Sequence, residues 1–167
     1  KSLPPGGFGG SAVEELTLSE GITSLSDAFG NCPSLTNVIN FLPSTVSSIG
    51  QRGFFNTPIE TPLVSTYPGD LTLSSKSSYG TFWNCKKLPS ADFSQSGMTA
   101  LRNSTFSGCT AMGWLKLPPT LMTFESSAIS GCTAMSNVVF YGKCPTALSD
   151  SAFSGVADYK LRMYVPR

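Results

Sequence analysis

One motif recurs along the chain at intervals of 23 to 28 residues, and this periodicity constrains the fold more than any other feature. The clearest copies are "FSGCTAM", which starts at Phe106, and "ISGCTAM", which starts at Ile129. Six residues occupy the first position of the motif: Phe29, Phe54, Phe82, Phe106, Ile129 and Phe153. Self-similarity at a period of roughly 20 to 50 residues is typical of solenoids, propellers and other stacked arrays.

Each copy carries the same pattern of small and apolar residues. A small residue lies three positions after the first one: Cys32, Thr57, Cys85, Cys109, Cys132 and Val156. Alternating apolar residues follow nine and eleven positions after it, for example Leu115 with Leu117 and Val138 with Phe140. This alternation is typical of a short strand with one buried face. Each unit therefore predicts one or two very short strands and a tight turn.

A single unit cannot fold alone. Burial of about seven apolar side chains, at roughly 1.5–3 kcal/mol each, is offset by the entropy cost of ordering about 24 residues at roughly 1–2 kcal/mol apiece. Neighbouring units must therefore supply partners for the apolar faces and for the strand N–H and C=O groups. We predict a repeat solenoid of about six turns that is mainly β, with short turns and 3-10 segments.

The motif resembles the BspA-like leucine-rich repeat of bacterial surface and secreted proteins. The family core, AF-x-x-C-x-x-L preceded by P-x-x-V-x-x-I, is similar to "LPSTVSSIGQRGF", "LPPTLMTFESSAI" and "CPTALSDSAF" here, and "LRMYVP" resembles the strand and proline that follow its last repeat. The resemblance covers about Leu16 to Pro166 and implies a right-handed leucine-rich-repeat coil. Thr57 and Val156 depart from the pattern, since both stand where it has Cys.

Three segments differ from the regular repeat. Residues 1–11 precede the pattern and are rich in Pro and Gly, so we expect a flexible linker there, followed by a single solenoid over residues 12–167. The unit between Phe54 and Phe82 is the longest, and we expect irregular geometry or an added hairpin at about 60–80. Residues at about 146–167 are expected to form a C-terminal cap.

The composition excludes several classes of partner. Only 13% of the residues are charged and the net charge is +1, so no long-range field attracts nucleic acid or an anionic membrane. No apolar run approaches the roughly 20 residues that a membrane span needs, so membrane insertion is not predicted. Ser and Thr make up 42 of the 167 residues and provide polarity without charge, a surface that is frequent among secreted proteins.

Four of the five cysteines are predicted to be structural. Four occupy the small position of the motif, which indicates buried apolar side chains rather than a disulfide framework, although neighbours such as Cys109 and Cys132 could lie within bridging distance. Cys144 lies outside the motif and is expected to be exposed or bonded. The chain has no His and no C-x-x-C, so no metal site and no cofactor are predicted.

The lack of His also removes the usual nucleophilic arrangements, because neither a Ser-His-Asp triad nor a Cys-His pair can be built. Paired carboxylates remain, but the acids scatter over different offsets from the first motif position. They are Asp27 at −2, Asp150 at −3, Glu125 at −4, Asp158 at +5, Glu60 at +6 and Asp92 at +10. We therefore predict that the chain is not an enzyme.

A ligand-binding surface is expected on the outward positions of the strand after each turn. The candidates are Ile39, Asp92, Trp114, Lys116, Val139, Tyr141, Arg162 and Tyr164. Exposed aromatics and Arg dominate interfaces, although Trp114 and Tyr141 could instead shield the coil. The residues expected to form the buried structural ladder are Phe29, Cys32, Phe54, Phe82, Cys85, Phe106, Cys109, Ile129, Cys132 and Phe153.

Three functions remain open. The resemblance implies a secreted or cell-surface module that attaches to a protein or glycan of a host matrix or a neighbouring cell. The alternative is a structural spacer or stalk that holds other domains away from the cell envelope. A parallel β-helix carbohydrate-active enzyme shares the periodicity, but it would be expected to cluster its acids on one face.

Overall fold

The computed structural model describes residues 1–40, 42–75, 79–157 and 162–166. Within these ranges the strands are two to four residues long. The elements are β1 Ser2–Leu3, β2 Glu15–Thr17, β3 Ser24–Leu25, β4 Asn37–Ile39, β5 Ser48–Ile49, β6 Leu63–Val64, β7 Thr72–Leu73, β8 Ser90–Asp92, β9 Ala100–Leu101, β10 Trp114–Leu117, β11 Thr123–Phe124, β12 Asn137–Phe140, β13 Ala147–Leu148, the 3-10 helix Asp150–Phe153 and β14 Arg162–Tyr164.

The chain alternates between two columns of parallel strands. Column I holds the odd-numbered strands, in the sheets β1-β3-β5-β7 and β9-β11-β13, and column II holds the even-numbered strands, in the sheets β2-β4 and β6-β8-β10-β12-β14. Equivalent motif positions face each other, as Leu115 does Val138. The predicted β-solenoid of about six turns is therefore confirmed.

Residues 1–11 do not form the flexible linker that their composition suggested. Strand β1 pairs in parallel with β3, and the N–H of Phe8 donates to the carbonyl of Ala28 at 2.9 Å. The Phe8 ring stacks on Phe29 with the ring centroids 5.3 Å apart. Phe8 and Ser11 have the spacing of Phe29 and Cys32, so this segment adds a further turn. The linker prediction was wrong because it weighed Pro and Gly content above spacing.

The segment at about 60–80 contributes one strand to each column. Strand β6 pairs with β8 and β7 pairs with β5, all in parallel, and the described residues of the segment form no hairpin. Thr72 faces Ser48 but lies ten residues before Phe82, whereas Ser48 lies six residues before Phe54. The four extra residues of this turn therefore follow β7, where residues 76–78 lie outside the described part of the chain.

The first motif position forms a stack of rings through the core. The rings of Phe8, Phe29, Phe54, Phe82 and Phe106 follow one another at centroid distances of 5.3, 5.3, 5.5 and 5.3 Å, nearly parallel throughout. Ile129 is buried at the next position, and Phe153 stacks instead on Phe124 at 5.2 Å. Such ring pairs add about 0.5–1.5 kcal/mol each beyond the burial of their surface.

Four buried cysteines form a second column beside the rings. Each thiol donates a hydrogen bond to the carbonyl of the ring residue one turn earlier: Cys32 to Phe8 (3.0 Å), Cys85 to Phe54 (2.9 Å), Cys109 to Phe82 (3.1 Å) and Cys132 to Phe106 (3.2 Å). Burial raises the pKa of Cys85 to about 11 and that of Cys132 to about 12. All five cysteines are free thiols, and Cys144 is exposed. The four motif cysteines are thus packed and hydrogen-bonded rather than bridged.

A column of left-handed residues forms the tight turn two positions after the rings. Asn31, Asn56 and Asn84 have φ of 57°, 53° and 61°, and Gly10, Gly108, Gly131 and Gly155 have φ of 73°, 77°, 71° and 74°. Gly and Asn adopt this conformation at the lowest cost. The asparagine amides also bond along the column, since Asn56 Nδ2 donates to Asn31 Oδ1 at 3.0 Å and Asn84 Nδ2 to Asn56 Oδ1 at 2.7 Å.

Candidate functional site

Column II presents two rows of side chains that alternate with its buried positions, and we call them the outer strand face. One row contains Ser90, Trp114, Asn137 and Arg162, and the other contains Val64, Asp92, Lys116, Val139 and Tyr164. Ser90 is buried, whereas the other members are partly or fully exposed. The structure thus brings six predicted residues onto one sheet: Asp92, Trp114, Lys116, Val139, Arg162 and Tyr164.

Lys116 connects the two rows at the centre of the face. Its Nζ lies 2.9 Å from Asp92 Oδ2 on the neighbouring strand and 4.7 Å from the centroid of the Trp114 ring. The hydrogen bond to Asp92 raises the pKa of Lys116. Burial opposes ionisation of Asp92, but hydrogen bonds from Ser94 and Lys116 outweigh it and lower the pKa of this carboxyl. Both groups are therefore charged at neutral pH, and Asp92 positions the Lys116 ammonium against the Trp114 ring.

The remaining predicted residues extend the outer strand face at its margins. The Tyr141 N–H donates to the carbonyl of Leu117 at 3.0 Å, so Tyr141 lies directly after β12, and 48% of this residue is exposed. Ile39 is also exposed but lies on β4, in the separate sheet β2-β4. Eight predicted residues are therefore found on column II or at its edge, although not in one continuous sheet.

Column II is interrupted between β4 and β6, which creates a cleft of about 470 Å³. The Val38 N–H donates to Thr61 Oγ1 at 3.0 Å rather than to a strand carbonyl. Exposed Ile39 and Val64 line the cleft, together with Leu42, which is buried at a φ of 57°. The left-handed conformation is costly for a bulky residue, so the backbone at this margin is strained.

Sequence reasoning missed Val64, although a signal for it existed. Val64 lies ten residues after Phe54, the same offset as Ile39, Asp92, Lys116 and Val139 in their own units. Thr57 and Pro58 break the repeat pattern in the unit that contains Val64, which made its strand harder to predict. Val64 is exposed and lies beside Asp92 in the register of β6 and β8.

Most acids of the candidate catalytic set make contacts that join adjacent turns. Asp27 Oδ1 accepts from the Arg52 N–H at 3.1 Å, Glu125 from the Asn103 N–H at 2.8 Å, and Glu60 forms an ion pair with Lys87 at 2.7 Å. Asp150 begins the 3-10 helix, and Asp158 lies outside the described residues. These contacts give the acids a structural role between turns.

Metal binding and membrane crossing find no support in the described ranges. Within them, no group of three or more His, Cys, Asp or Glu side chains could hold a metal ion. Nor do the described residues include a helix of the length and apolarity required to cross a bilayer.

Comparison with known proteins links the repeat to a family. The model of the BspA type leucine rich repeat region matches residues 1–67 and 71–160, in six copies. This match includes residues 1–11, in accord with the extra turn at Phe8. A search of curated proteins gives no match.

Two solved structures are similar to the chain at low identity. A leucine rich cell surface protein from Faecalibacterium prausnitzii A2-165 is 20% identical with a TM-score of 0.42, and the alignment covers 92% of this chain and 59% of that one. A leucine-rich repeat protein from Bacteroides ovatus ATCC 8483 is 15% identical with a TM-score of 0.40, covering 93% and 54%. The chain spans little more than half the length of either. Both TM-scores are too low to carry an argument, so identification depends on the family match.

Proposed function

Because this chain belongs to the BspA type leucine rich repeat family, we propose that it is a non-enzymatic interaction module of a secreted or cell-surface bacterial protein. The proposed partner is a protein, such as a component of a host matrix or of a neighbouring cell, and the proposed binding surface is the outer strand face. The observation that carries the proposal is the Trp114 ring held by Lys116 and Asp92 at the centre of an exposed sheet.

The outer strand face has the composition of a protein interface. Trp114, Tyr164 and Arg162 are the residue types that contribute most to binding energy, and they stand among charged and polar neighbours. Exposed Val64 and Ile39 add aliphatic area, which suits the apolar side chains of a protein partner. The cation–π contact with Lys116 favours one position of the Trp114 ring before binding, which reduces the conformational entropy lost on association.

The non-enzymatic part of the proposal depends on the side chains that are available. The chain has no His, and Asp27, Glu60, Asp92 and Glu125 are engaged in contacts between turns or strands. General acid and base catalysis needs a proton-transfer group within reach of a substrate. The contacts of these four carboxylates favour a structural role over a catalytic one.

The test compares binding of matrix proteins by the wild type and by the double variant Trp114→Ala with Tyr141→Ala. Immobilised fibronectin, fibrinogen and laminin are the probes, and surface plasmon resonance is the readout. We expect the double variant to lose binding while its melting temperature changes little, since both rings are exposed and the cation–π contact of Trp114 contributes only about 0.5–1 kcal/mol.

The matched control is Met122→Ala, which removes an exposed apolar side chain away from column II and should leave binding intact. Unchanged binding by the double variant would refute the outer strand face as the site. If the isolated wild type binds none of the probes, the spacer function replaces the proposal.

A further inference from the structure

Three aromatic rings and a guanidinium meet on the turn side of the coil, in what we call the turn-edge cluster. Phe55 and Trp83 stack with their centroids 5.2 Å apart, and Tyr79 stands perpendicular to them at 5.3 and 5.4 Å. Arg52 Cζ lies 4.7 Å from the Tyr79 centroid and 5.7 Å from that of Phe55. All three rings are only partly buried. The cluster is therefore a surface feature, separate from the stack in the core.

The coil does not need aromatic residues at this place. Phe55 and Trp83 lie one residue after the ring position, where the other turns have glycine or serine: Gly9, Gly30, Ser107, Ser130 and Ser154. Tyr79 comes from the stretch after β7 that holds the four extra residues of its turn. Two neighbouring departures from the repeat and one insertion thus converge on a single spot, which indicates a role other than closing the turn.

The Arg52 guanidinium is positioned but has no acidic partner in the part of the chain that the structure describes. Among the described residues its backbone N–H bonds to Asp27, yet no carboxylate lies within ion-pair distance of its side chain. The rings of Tyr79 and Phe55 hold it through cation–π contacts. A guanidinium presents N–H donors in a planar fork that matches a carboxylate. Arg52 therefore offers an anion-binding group that is already oriented.

A cleft of about 360 Å³ is lined in part by the residues that follow the aromatic pair in the chain. Asn56 and Asn84, which directly follow Phe55 and Trp83, line it together with Lys86. Asn84 Oδ1 accepts no hydrogen bond from the described residues, and Lys86 forms no ion pair within them. The cleft thus offers a hydrogen-bond acceptor and a second cation beside the rings.

We propose that the turn-edge cluster binds a carboxylated carbohydrate, that is, a glycan containing uronic acid. The C–H face of a sugar ring packs on Trp83, the carboxylate pairs with the Arg52 guanidinium, and hydroxyls of the glycan bond to Asn84 and Lys86 at the cleft. A sugar is favoured over an acidic peptide because the polar side chains of Asn56, Asn84 and Lys86 line the cleft, while the exposed aliphatic side chains lie elsewhere, for example at Ile39 and Val64.

The test measures binding of polygalacturonate by isothermal titration calorimetry at low salt. Fully methyl-esterified polygalacturonate removes the charge but keeps the sugar, and poly-glutamate keeps the charge but removes the sugar. We expect polygalacturonate alone to bind. Arg52→Gln removes the charge-assisted contact, and Trp83→Ser removes the stacking contact by introducing the serine that later turns have at this position. Each variant should weaken binding about tenfold or more.

Arg102→Gln is the matched control, since it removes an exposed arginine that is already paired with Glu125. It should leave polygalacturonate binding unchanged, and Arg52→Gln should leave binding of matrix proteins to the outer strand face unchanged. Three results would overturn the proposal: no binding of polygalacturonate, equal binding of the methyl ester, or equal binding of poly-glutamate. Arg52→Gln keeps all three rings, so a folding defect does not confound it.

Discussion

Replacing Phe82 with Ala removes the middle ring of the core stack. Phe82 is fully buried and its ring lies 5.5 Å from Phe54 and 5.3 Å from Phe106, centroid to centroid. Truncation of a buried Phe costs about 3–5 kcal/mol, and because this ring stacks on a neighbour at each face we expect a value of about 5 kcal/mol. Phe8 is 41% exposed and stacks on one ring alone, so Phe8→Ala should cost only about 1–2 kcal/mol.

The free energies of unfolding of both variants and the wild type are measured by urea unfolding, with tryptophan fluorescence and far-UV circular dichroism as the two probes. Trp83 is adjacent to the altered residue and reports on the central turns. Coincident transitions by the two probes would justify a two-state free energy for each protein. Equal destabilisation by Phe82→Ala and Phe8→Ala would refute the reasoning, because burial between two stacked rings would then contribute nothing extra to the free energy of unfolding.

Three further predictions concern the other columns and the outer strand face. The pKa of Cys85 is about 11 in the folded chain against 9.0 for a free thiol, so the free energy of unfolding should fall as pH rises above about 9, where only the unfolded thiol ionises. The urea midpoint of a Cys85→Ala variant should therefore decrease less between about pH 8 and pH 10 than that of the wild type, and an equal decrease would contradict this. Asp92 has a lowered pKa, so its contribution is present above the ordinary pKa of 3.8 and is lost as pH falls through the lower pKa of the folded chain. A double-mutant cycle of Asp92→Asn with Lys116→Met should give a coupling of about 0.5–1 kcal/mol at pH near 7 that decreases as the pH falls below 3.8, whereas a pH-independent coupling would rule out the ion pair as its source. Asn56→Ala should lower the free energy of unfolding by about 2–3 kcal/mol, because the variant loses two amide hydrogen bonds and places Ala at a φ of 53°. Asn56→Gly should lose only the hydrogen-bond contribution, so equal destabilisation by the two variants in thermal unfolding would show that the conformation is not strained for Ala.

The spacing of the motif predicted the fold because equivalent positions must meet in adjacent turns. Leu115 and Val138, assigned to a buried strand position from alternation alone, face each other in the register of β10 and β12. The same spacing would have placed Phe8 at the ring position of the turn before Phe29, but the Pro and Gly content of the segment indicated a linker instead. Composition describes an average over a segment, whereas stacking depends on single positions.

The candidate site was less accessible to sequence reasoning. The offset of Trp114 and Lys116 indicated which side of the strand they occupy, but not that Lys116 would bond to Asp92 one turn away and lie against Trp114. The turn-edge cluster was missed for a different reason. Tyr79 lies in the stretch between β7 and Phe82, which is longer than in the other turns, and a periodic pattern contains no information about what the residues of an insertion contact.

The strict register of the columns has a consequence for how such a chain can change in evolution. Rings stack on rings of the adjacent turn, thiols bond to the ring residue of the turn before, and the left-handed asparagines bond to one another, so duplication of a complete unit supplies the contacts that the new turn requires. Loss of one residue between the ring position and the thiol position would instead misalign these columns, whereas the number of residues between successive rings varies from turn to turn. The near-identical heptapeptides at Phe106 and Ile129 are the trace expected from such a duplication. Each added unit would lengthen the rod by about 4.8 Å. Its reach can therefore be adjusted in steps while the surfaces on either side keep their chemistry.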